Sequence, residues 1–250
     1  MKKNSSIFIS THNSKKTVNK VRALINKFAF DENILRKLSI SKYRSLTVKI
    51  QNEINNLNLT SLIVKEIYYD VIKYLKTERF LVQSNVYLRC SRPLNVSMTA
   101  KSESIGLHRE SFYGPNMEKS VNIWTPIKGV SKKNTLRYIP NSHLISDDKI
   151  KVKKIKDKYT NKFSTGHKLG FQYAYKKIIK GVNIENQKAM IVPSYSSSIF
   201  SGNLIHGAAT NNSNKIRFSL DFRVIRKKDY SYNNKKFHFA SKKPYFIEFE

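Results

Sequence analysis

Cysteine and long apolar runs are nearly absent from this sequence, and both absences restrict the kind of protein it can be. Cys90 is the single cysteine among 250 residues, so no intrachain disulfide can form and a reducing compartment is expected. No apolar stretch approaches the roughly 18 residues that a membrane-spanning helix requires. Residues 7–9 are apolar but too few for the hydrophobic region of a signal peptide. We therefore expect a cytoplasmic protein.

Acidic residues are scarce as well. The chain has 17 Asp and Glu against 47 Lys and Arg, which gives a formal net charge of +30. An excess of this size is typical of proteins that bind nucleic acid or another anionic polymer. Of the basic residues 36 are Lys, spread along the whole chain, which is equally typical of an AT-rich genome. A non-catalytic basic β-domain that binds nucleic acid or an anionic polymer is therefore the alternative to an enzyme.

The hydrophobic periodicity predicts a single domain of the α+β class, with an all-β core and flanking helices. Hydrophobic residues make up 40% of the chain, enough for a buried core at this length. Apolar residues recur every three or four positions up to residue 79, and from residue 80 the period is two. The sequence thus predicts a helical layer over residues 1–79, packed on a β core over residues 80–226. A basic aromatic tail follows over residues 227–250.

Two parts of the predicted core have more than one interpretation. In residues 80–89, Gln83 and Tyr87 share one face with other polar side chains, and this face either lines a wet cavity or forms the outside of the sheet. Residues 120–128 alternate in the same way and contain Asn122. Residues 146–188 are rich in lysine and form either a substrate lid or a solvated loop.

Three residues have side chains suited to one metal ion. His108 and Glu110 are two positions apart, so at the end of a strand both point to one face, about 6–7 Å apart along the chain. His206 comes much later, before a turn of Asn and Ser and a strand that carries Arg217 and Ser219 on one face. We expect these last segments to form a hairpin with His206 on one arm.

Two imidazoles and one carboxylate leave neighbouring coordination positions open for a chelating cosubstrate and for dioxygen, as in non-heme Fe(II) oxygenases. Alternatively, the same set can hold zinc, or the histidines can be purely structural. Arg217 favours the oxygenase, because a hydrolytic zinc site does not need a receptor for an acid on a neighbouring strand.

Four segments, in order, resemble the phytanoyl-CoA-dioxygenase-like Fe(II)/2-oxoglutarate oxygenases, in particular the streptomycin-biosynthesis-type, carbohydrate-cluster branch. The resemblance covers about residues 80–226. The segments are His108-x-Glu110, Ile123-Trp124-Thr125-Pro126-Ile127, Leu136-x-x-Ile139-Pro140-x-Ser142-His143 and His206-Gly207-x(3)-Asn211-x-Ser213-x(3)-Arg217-x-Ser219.

This resemblance implies a double-stranded β-helix, a squashed jelly-roll barrel of the cupin kind. It implies Fe(II) as the cofactor, with 2-oxoglutarate and O2 as cosubstrates, and Arg217 with Ser219 as the receptor for the distal carboxylate of 2-oxoglutarate. Trp124 and His143 look like packing and loop-fixing residues. The implied metal ligands are His108, Glu110 and His206, and the residues implied to contact the cosubstrate are Gln83, Tyr87 and Asn122.

The implied reaction converts 2-oxoglutarate to succinate and CO2 while a small molecule is hydroxylated, by the branch a sugar or sugar-derived intermediate. The lysines suit an anionic substrate such as a nucleotide-sugar. Glu110 departs from the family pattern, which usually has Asp, so its longer side chain must fold back to reach the same metal. The retained carboxylate argues against a halogenase, which needs that coordination place for halide.

Overall fold

The structure, a computed structural model, describes residues 6–28, 31–93, 106–155, 175–234 and 243–249. Five of the six helices in these ranges precede the main strands, and the sixth is a single turn before the fourth strand. None of the helices in the described part is long and apolar enough to cross a membrane. The helices are α1 (Lys15–Phe28), α2 (Glu32–Lys37), α3 (Ile40–Asn56), α4 (Leu59–Glu66), α5 (Tyr68–Leu75) and α6 (Pro115–Glu118).

Twelve strands in the described residues form one large antiparallel sheet, one small sheet and a two-stranded ribbon. The large sheet has the order β1-β9-β4-β11-β2-β12, with β3 also paired to β11, the small sheet has the order β10-β5-β8, and the ribbon is β6-β7. The strands are β1 (Phe8–Ile9), β2 (Phe80–Gln83), β3 (Tyr87–Ser91), β4 (Val121–Lys128), β5 (Leu136–Tyr138), β6 (Lys151–Ile155), β7 (Tyr175–Lys180), β8 (Lys188–Ala189), β9 (Ser198–Ser201), β10 (His206–Ala208), β11 (Arg217–Arg226) and β12 (Phe246–Glu248).

The helices cover the outer face of the large sheet, as the change of period predicts. Val18, Val21 and Ile25 recur along α1 and are fully buried, so one stripe of this helix faces the sheet. They belong to the same core cluster as Phe218, Leu220, Phe222 and Val224 of β11. The predicted all-β core with flanking helices is confirmed, although β1, within residues 1–79, joins the sheet rather than the helical layer.

The inner face of the large sheet is opposite the small sheet. Side chains from β4 and β9 of the large sheet, such as Trp124 and Phe200, form one cluster with Leu136 and Tyr138 of β5. Successive side chains of a strand alternate between faces, so the odd-numbered residues of β11 point into this interior. The polar face predicted for residues 80–89 therefore faces the barrel interior rather than the outside, since Gln83 and Tyr87 are 1% and 2% exposed.

The predicted hairpin between His206 and Arg217 is wrong. β10 pairs with β5 in the small sheet, whereas β11 pairs with β2, β3 and β4 in the large sheet. The Asn- and Ser-rich segment between them therefore crosses from one sheet to the other. Turn residues and alternation predict two strands and a reversal, but they do not show whether the second strand pairs with the first.

The remaining segments are placed only in part. Within residues 146–188, β6 and β7 form an antiparallel ribbon, and residues 156–174 lie outside the described residues, so the choice between lid and solvated loop stays open. In the tail, β12 pairs with β2 and covers its edge. The division into residues 1–79, 80–226 and 227–250 stays a prediction.

Candidate active site

Two of the predicted metal ligands are brought together by backbone pairing. His108 and His206 lie directly opposite each other in an isolated antiparallel bridge, with each backbone N–H donating to the other's carbonyl at 2.9 Å. A side chain at Gly207 would prevent this approach, because a Cβ there would lie 2.7 Å from the carbonyl oxygen of Gly106. The strand that carries the first histidine therefore joins the edge of the small sheet.

Glu110 reaches the same place because the intervening residue is extended. Arg109 has φ −132° and ψ 157°, and Glu110 then begins a 3₁₀ turn, so His108 and Glu110 point to one side. The side chain of Arg109 points away and contacts Asp147 at 2.6 Å. Gly202 leaves room for the carboxylate, since a Cβ at that position would lie 3.1 Å from the Cβ of Glu110.

The three side chains form a buried cluster that can hold a metal ion. Their candidate ligand atoms all lie within 4.8 Å of one another, and Glu110 Oε1 is 4.0 Å from His108 Nε2 and 3.9 Å from His206 Nε2. An ion about 2.1 Å from each ligand places cis ligands about 3 Å apart. The two separations from Glu110 therefore need to shrink by about 1 Å, which small side-chain rotations supply.

The protonation states of the cluster suit a metal. Nδ1 of His108 is 2.8 Å from the carbonyl of Gly106, and Nδ1 of His206 is 2.8 Å from the carbonyl of Leu204. A carbonyl only accepts, so Nδ1 carries the proton and Nε2 keeps its lone pair for the metal. Burial, with His108 acting in the same direction, lowers the pKa of His206 to about 4.

Glu110 is ionised in the same environment. Burial would raise the pKa of its carboxyl group, but Arg223 and the two imidazoles outweigh burial and hold the pKa below its ordinary value. Burial lowers the pKa of His108, although the carboxylate pulls it upward. Near neutral pH the cluster thus presents two neutral imidazoles and one carboxylate, the form in which these groups bind metals.

Arg217 lies in the barrel interior without an acidic partner among the described residues. Its side chain is 3% exposed, and Nη1 donates to the carbonyl of Asn134 at 2.7 Å. Its Nε and the hydroxyl of Ser219 are buried without a hydrogen-bond partner in the described part of the chain. Burial lowers the pKa of Arg217 to about 10, so the guanidinium is still charged at pH 7.

The other two arginines of this interior are already paired. Arg89 forms an ion pair with Asp221, and Arg223 donates to Glu110 at 2.7 Å. An unpaired buried charge is strongly unfavourable, so Arg217 is the position where an anion restores balance. This is what a receptor for the distal carboxylate of a dicarboxylic acid requires.

The residues predicted to contact the cosubstrate lie on the same inner surface, and their roles stay predictions. Asn122 is opposite Arg223 in the sheet register, and Tyr87 is opposite Asp221. Gln83 Oε1 accepts from Arg223 at 3.1 Å, so Gln83 contacts a neighbour of the triad.

Sequence reasoning missed two features of this interior. Asp221 and Arg223 continue the strand face that carries Arg217 and Ser219, and nothing in the alternation indicates that Asp221 pairs with Arg89 and Arg223 with Glu110. Trp124 packs as expected in a cluster with Phe200, but its indole N–H is also buried without a partner among the described residues. The sequence signal for this feature was that Trp124, whose indole N–H is a hydrogen-bond donor, lies in a strand that alternates between two faces.

A jelly-roll that encloses two histidines and one carboxylate defines a class of metal-binding enzyme core. The family model described as Phytanoyl-CoA dioxygenase (PhyH) matches residues 14–219. The match spans more than half of the chain, so the chain belongs to this family. A search of curated protein sequences gave no match.

Solved structures with a similar fold are distant in sequence. EvdO2 from Micromonospora carbonacea var. aurantiaca complexed with 2-oxoglutarate is 11% identical, with 88% of this chain and 86% of that chain covered and a TM-score of 0.56. A second crystal structure of EvdO2 is 12% identical with the same coverage and a TM-score of 0.54. The non-heme monooxygenase ThoJ, in its apo form, is 12% identical over 89% of this chain and 75% of that one, with a TM-score of 0.52. At these identities the likeness supports the fold alone.

Proposed function

We propose that this protein is an Fe(II)- and 2-oxoglutarate-dependent dioxygenase that hydroxylates a small molecule, a sugar or sugar-derived intermediate. One observation carries the proposal: Arg217 is buried and lacks an acidic partner among the described residues, in the same interior as the triad. A dicarboxylic acid that chelates the metal at one end satisfies both requirements. The 2-oxoglutarate complex of EvdO2, which shares the fold, supports this choice.

The chain's own residues bind and orient the reactants. His108 and His206 offer neutral Nε2 atoms and Glu110 contributes one negative charge, while Arg217 and Ser219 bind the distal carboxylate and so fix the direction of the cosubstrate. The ring of Phe200 packs edge-on against His206, with centroids 4.9 Å apart, and keeps water from that side. Bound iron and 2-oxoglutarate supply the oxidative chemistry with O2.

The first experiment measures succinate formed from 2-oxoglutarate with Fe(II), ascorbate and O2. We expect turnover in the wild type and its loss to the background rate in His206→Ala, because two remaining ligands hold the metal poorly. His12→Gln is the matched control, since His12 is half exposed and pairs with Asp70 outside the barrel. Equal succinate formation by His206→Ala and the wild type would contradict the proposal.

We also propose that the substrate is anionic, because exposed lysines lie opposite one another on the β6-β7 ribbon. Lys151 is paired with Lys180 and Lys153 with Lys177, and all four are exposed. Like charges directly opposite in a sheet are destabilising, and a phosphate or carboxylate between them relieves the repulsion. The other face of the ribbon packs on the segment that carries the triad, because Lys176 Nζ lies 5.5 Å from the ring centroid of Phe112, two residues after Glu110, and Lys153 and Lys177 point away from that contact.

A panel of neutral sugars, sugar phosphates and nucleotide-sugars, screened for stimulated succinate formation, tests the substrate class. For an anionic substrate found in this way, the double variant Lys153→Gln/Lys177→Gln should raise KM at least tenfold and leave the KM for 2-oxoglutarate unchanged. Lys16→Gln/Lys20→Gln removes an exposed pair from α1 and serves as the control. Stimulation by neutral sugars alone would overturn the anionic assignment.

The alternative, a non-catalytic basic domain that binds nucleic acid or an anionic polymer, makes different predictions. Binding would weaken steeply with salt, with a slope set by the number of phosphates neutralised, and His108→Ala would bind as well as the wild type. We favour the enzyme because a surface binder gains nothing from a buried triad in the same interior as a buried guanidinium that lacks an acidic partner among the described residues.

A further inference from the structure

Arg223 contacts the carboxylate of the triad inside the buried interior. Its Nη2 donates to Glu110 Oε1 at 2.7 Å, and the same oxygen is the one that lies 4.0 and 3.9 Å from the two histidine Nε2 atoms. Glu110 is fully buried and Arg223 is 6% exposed. The guanidinium therefore holds the acid at the oxygen that faces the metal position.

Arg223 is itself fixed by two further hydrogen bonds and by an ion pair at 3.7 Å between its Nη1 and Asp221 Oδ2. Nη1 donates to Gln83 Oε1 at 3.1 Å and to the hydroxyl of Tyr245 at 3.4 Å. Gln83 is fixed in turn, because its Nε2 donates to the carbonyl of Asn85 at 2.6 Å. The position of Glu110 is thus coupled to β2 and to the residue just before β12.

A glutamate at this position needs such support more than an aspartate does. The extra methylene of Glu110 adds a rotatable bond, and an unrestrained carboxylate loses more conformational freedom when it binds a metal. A charge-assisted hydrogen bond to a fixed donor removes most of that freedom before the metal arrives. Arg223 and Tyr245 both lie beyond residues 14–219, the part matched by the family model.

We propose that Arg223, anchored by Gln83 and Tyr245, is the positioning residue that sets the orientation of Glu110 for metal binding. This rests on the proposed use of His108, Glu110 and His206 as metal ligands. Arg223 acts through Glu110 and does not touch the metal, so its contribution appears in metal affinity and coordination geometry before any turnover.

The test is titration of the purified protein with Co(II) in the absence of 2-oxoglutarate. Calorimetry measures the affinity, and visible absorption reports the coordination geometry. Arg223→Gln should weaken Co(II) binding about 10- to 100-fold and should change the absorption spectrum even at saturation. Arg223→Lys should recover part of the affinity. Arg226→Gln, three residues further along β11, removes a surface arginine paired with Asp229 and should bind as the wild type.

A double-mutant cycle distinguishes positioning from a general effect of charge. Glu110→Asp shortens the acid and withdraws it from Arg223, so adding Arg223→Gln to it should change Co(II) affinity by less than about threefold. Full additivity, or tighter binding by Arg223→Gln, would overturn the proposal. If Arg223→Gln does not fold, Tyr245→Phe removes one anchor only and should weaken Co(II) binding about 2- to 5-fold, and unchanged binding by this variant would also overturn it.

A comparison of Co(II) binding with succinate formation separates this inference from the proposed function. Wild-type protein that binds Co(II) through the triad but forms no succinate would refute the oxygenase and leave the role of Arg223 intact. If His206→Ala binds Co(II) as tightly as the wild type does, both proposals are refuted, because the triad would then not be the metal site.

Discussion

At the scale of single residues, the charged side chains on the inward face of β11 are paired so that the guanidinium of Arg217 stays available for a bound anion. Arg217, Asp221 and Arg223 follow one another on this face, and the acids at hand, Asp221 and Glu110, are taken by Arg89 and Arg223. The same residue type therefore has opposite effects on stability at the two ends of one strand.

Arg217→Met and Arg223→Met should shift stability in opposite directions. Replacing Arg217 removes a buried charge that has no acidic partner in the described part of the chain, so the ligand-free protein should gain about 1–4 kcal/mol. Replacing Arg223 leaves Glu110 buried and uncompensated, which should cost about 3–5 kcal/mol. Chemical denaturation measures both values.

The response of Arg217→Met to added 2-oxoglutarate tests whether Arg217 binds the cosubstrate. The wild type should be stabilised by added 2-oxoglutarate in the presence of Mn(II), and Arg217→Met should lose this increase in Tm because the distal carboxylate has no receptor. Destabilisation of the ligand-free protein by Arg217→Met would show that the guanidinium is satisfied without a bound acid.

Gly202 is required for space rather than for backbone freedom. A Cβ at this position would lie 2.8 Å from the carbonyl oxygens of Met117 and Ser120 and 3.1 Å from the Cβ of Glu110. Gly202→Ala should therefore destabilise the fold by about 1–3 kcal/mol and also weaken Co(II) binding. Gly129→Ala, which would place a Cβ 2.0 Å from the carbonyl oxygen of Ile216, should lose stability but bind Co(II) normally once folded.

At the scale of elements, the sequence predicts faces better than it predicts partners. The alternation correctly assigns Arg217 and Ser219 to one side of a strand and the apolar residues to the other, because burial selects side chains by face. It does not distinguish a hairpin from a crossing between sheets, so the pairing of His206 with Tyr138 was not predicted. The contact of Arg223 with Glu110 joins distant segments, and no local pattern encodes it.

Phe249, the residue directly after β12, packs the tail against the helical layer. Its ring stacks on Phe80 with centroids 5.2 Å apart and on Tyr68 at 5.9 Å. Phe249→Ala should lower the free energy of unfolding by about 1–3 kcal/mol, since it removes two aromatic contacts and their buried area. Ile247→Ala, in β12 two residues earlier, removes a side chain that is 38% exposed and should change stability by less than about 0.5 kcal/mol.

The start of α5 is tied to the N-terminal segment by a buried acid. Asp70 accepts from the Thr11 hydroxyl at 2.7 Å and from the His12 backbone N–H at 2.8 Å. Burial raises the pKa of this carboxyl group, but the hydrogen bonds from His12 and Thr11 outweigh it, so the pKa is lowered overall.

This lowered pKa gives stability a definite pH dependence. A depressed folded-state pKa stabilises the protein above the unfolded value of about 3.9 and loses that contribution as pH falls through the folded value. Asp70→Asn should therefore destabilise the protein near pH 7 and flatten the decline of stability below about pH 4. Denaturation curves at several pH values measure this, and an unchanged slope would show that Asp70 is not the group responsible.

At the scale of the whole molecule, the excess of positive charge lowers the stability of the folded state. A net charge of +30 on 250 residues repels itself in the compact state, and salt screens exposed charges beyond about 8 Å at 0.15 M. Tm should therefore rise as NaCl increases from about 10 mM to about 0.5 M, where screening is nearly complete. A fall in Tm over this range would show that exposed ion pairs outweigh the repulsion.

The backbone bridge between His108 and His206 joins positions 98 residues apart in the sequence. Before that bridge forms, the chain offers an ion only a histidine and a glutamate close together, which is too few donors for tight capture. Tight iron binding would therefore be limited to molecules in which the segments around His108 and His206 have already paired.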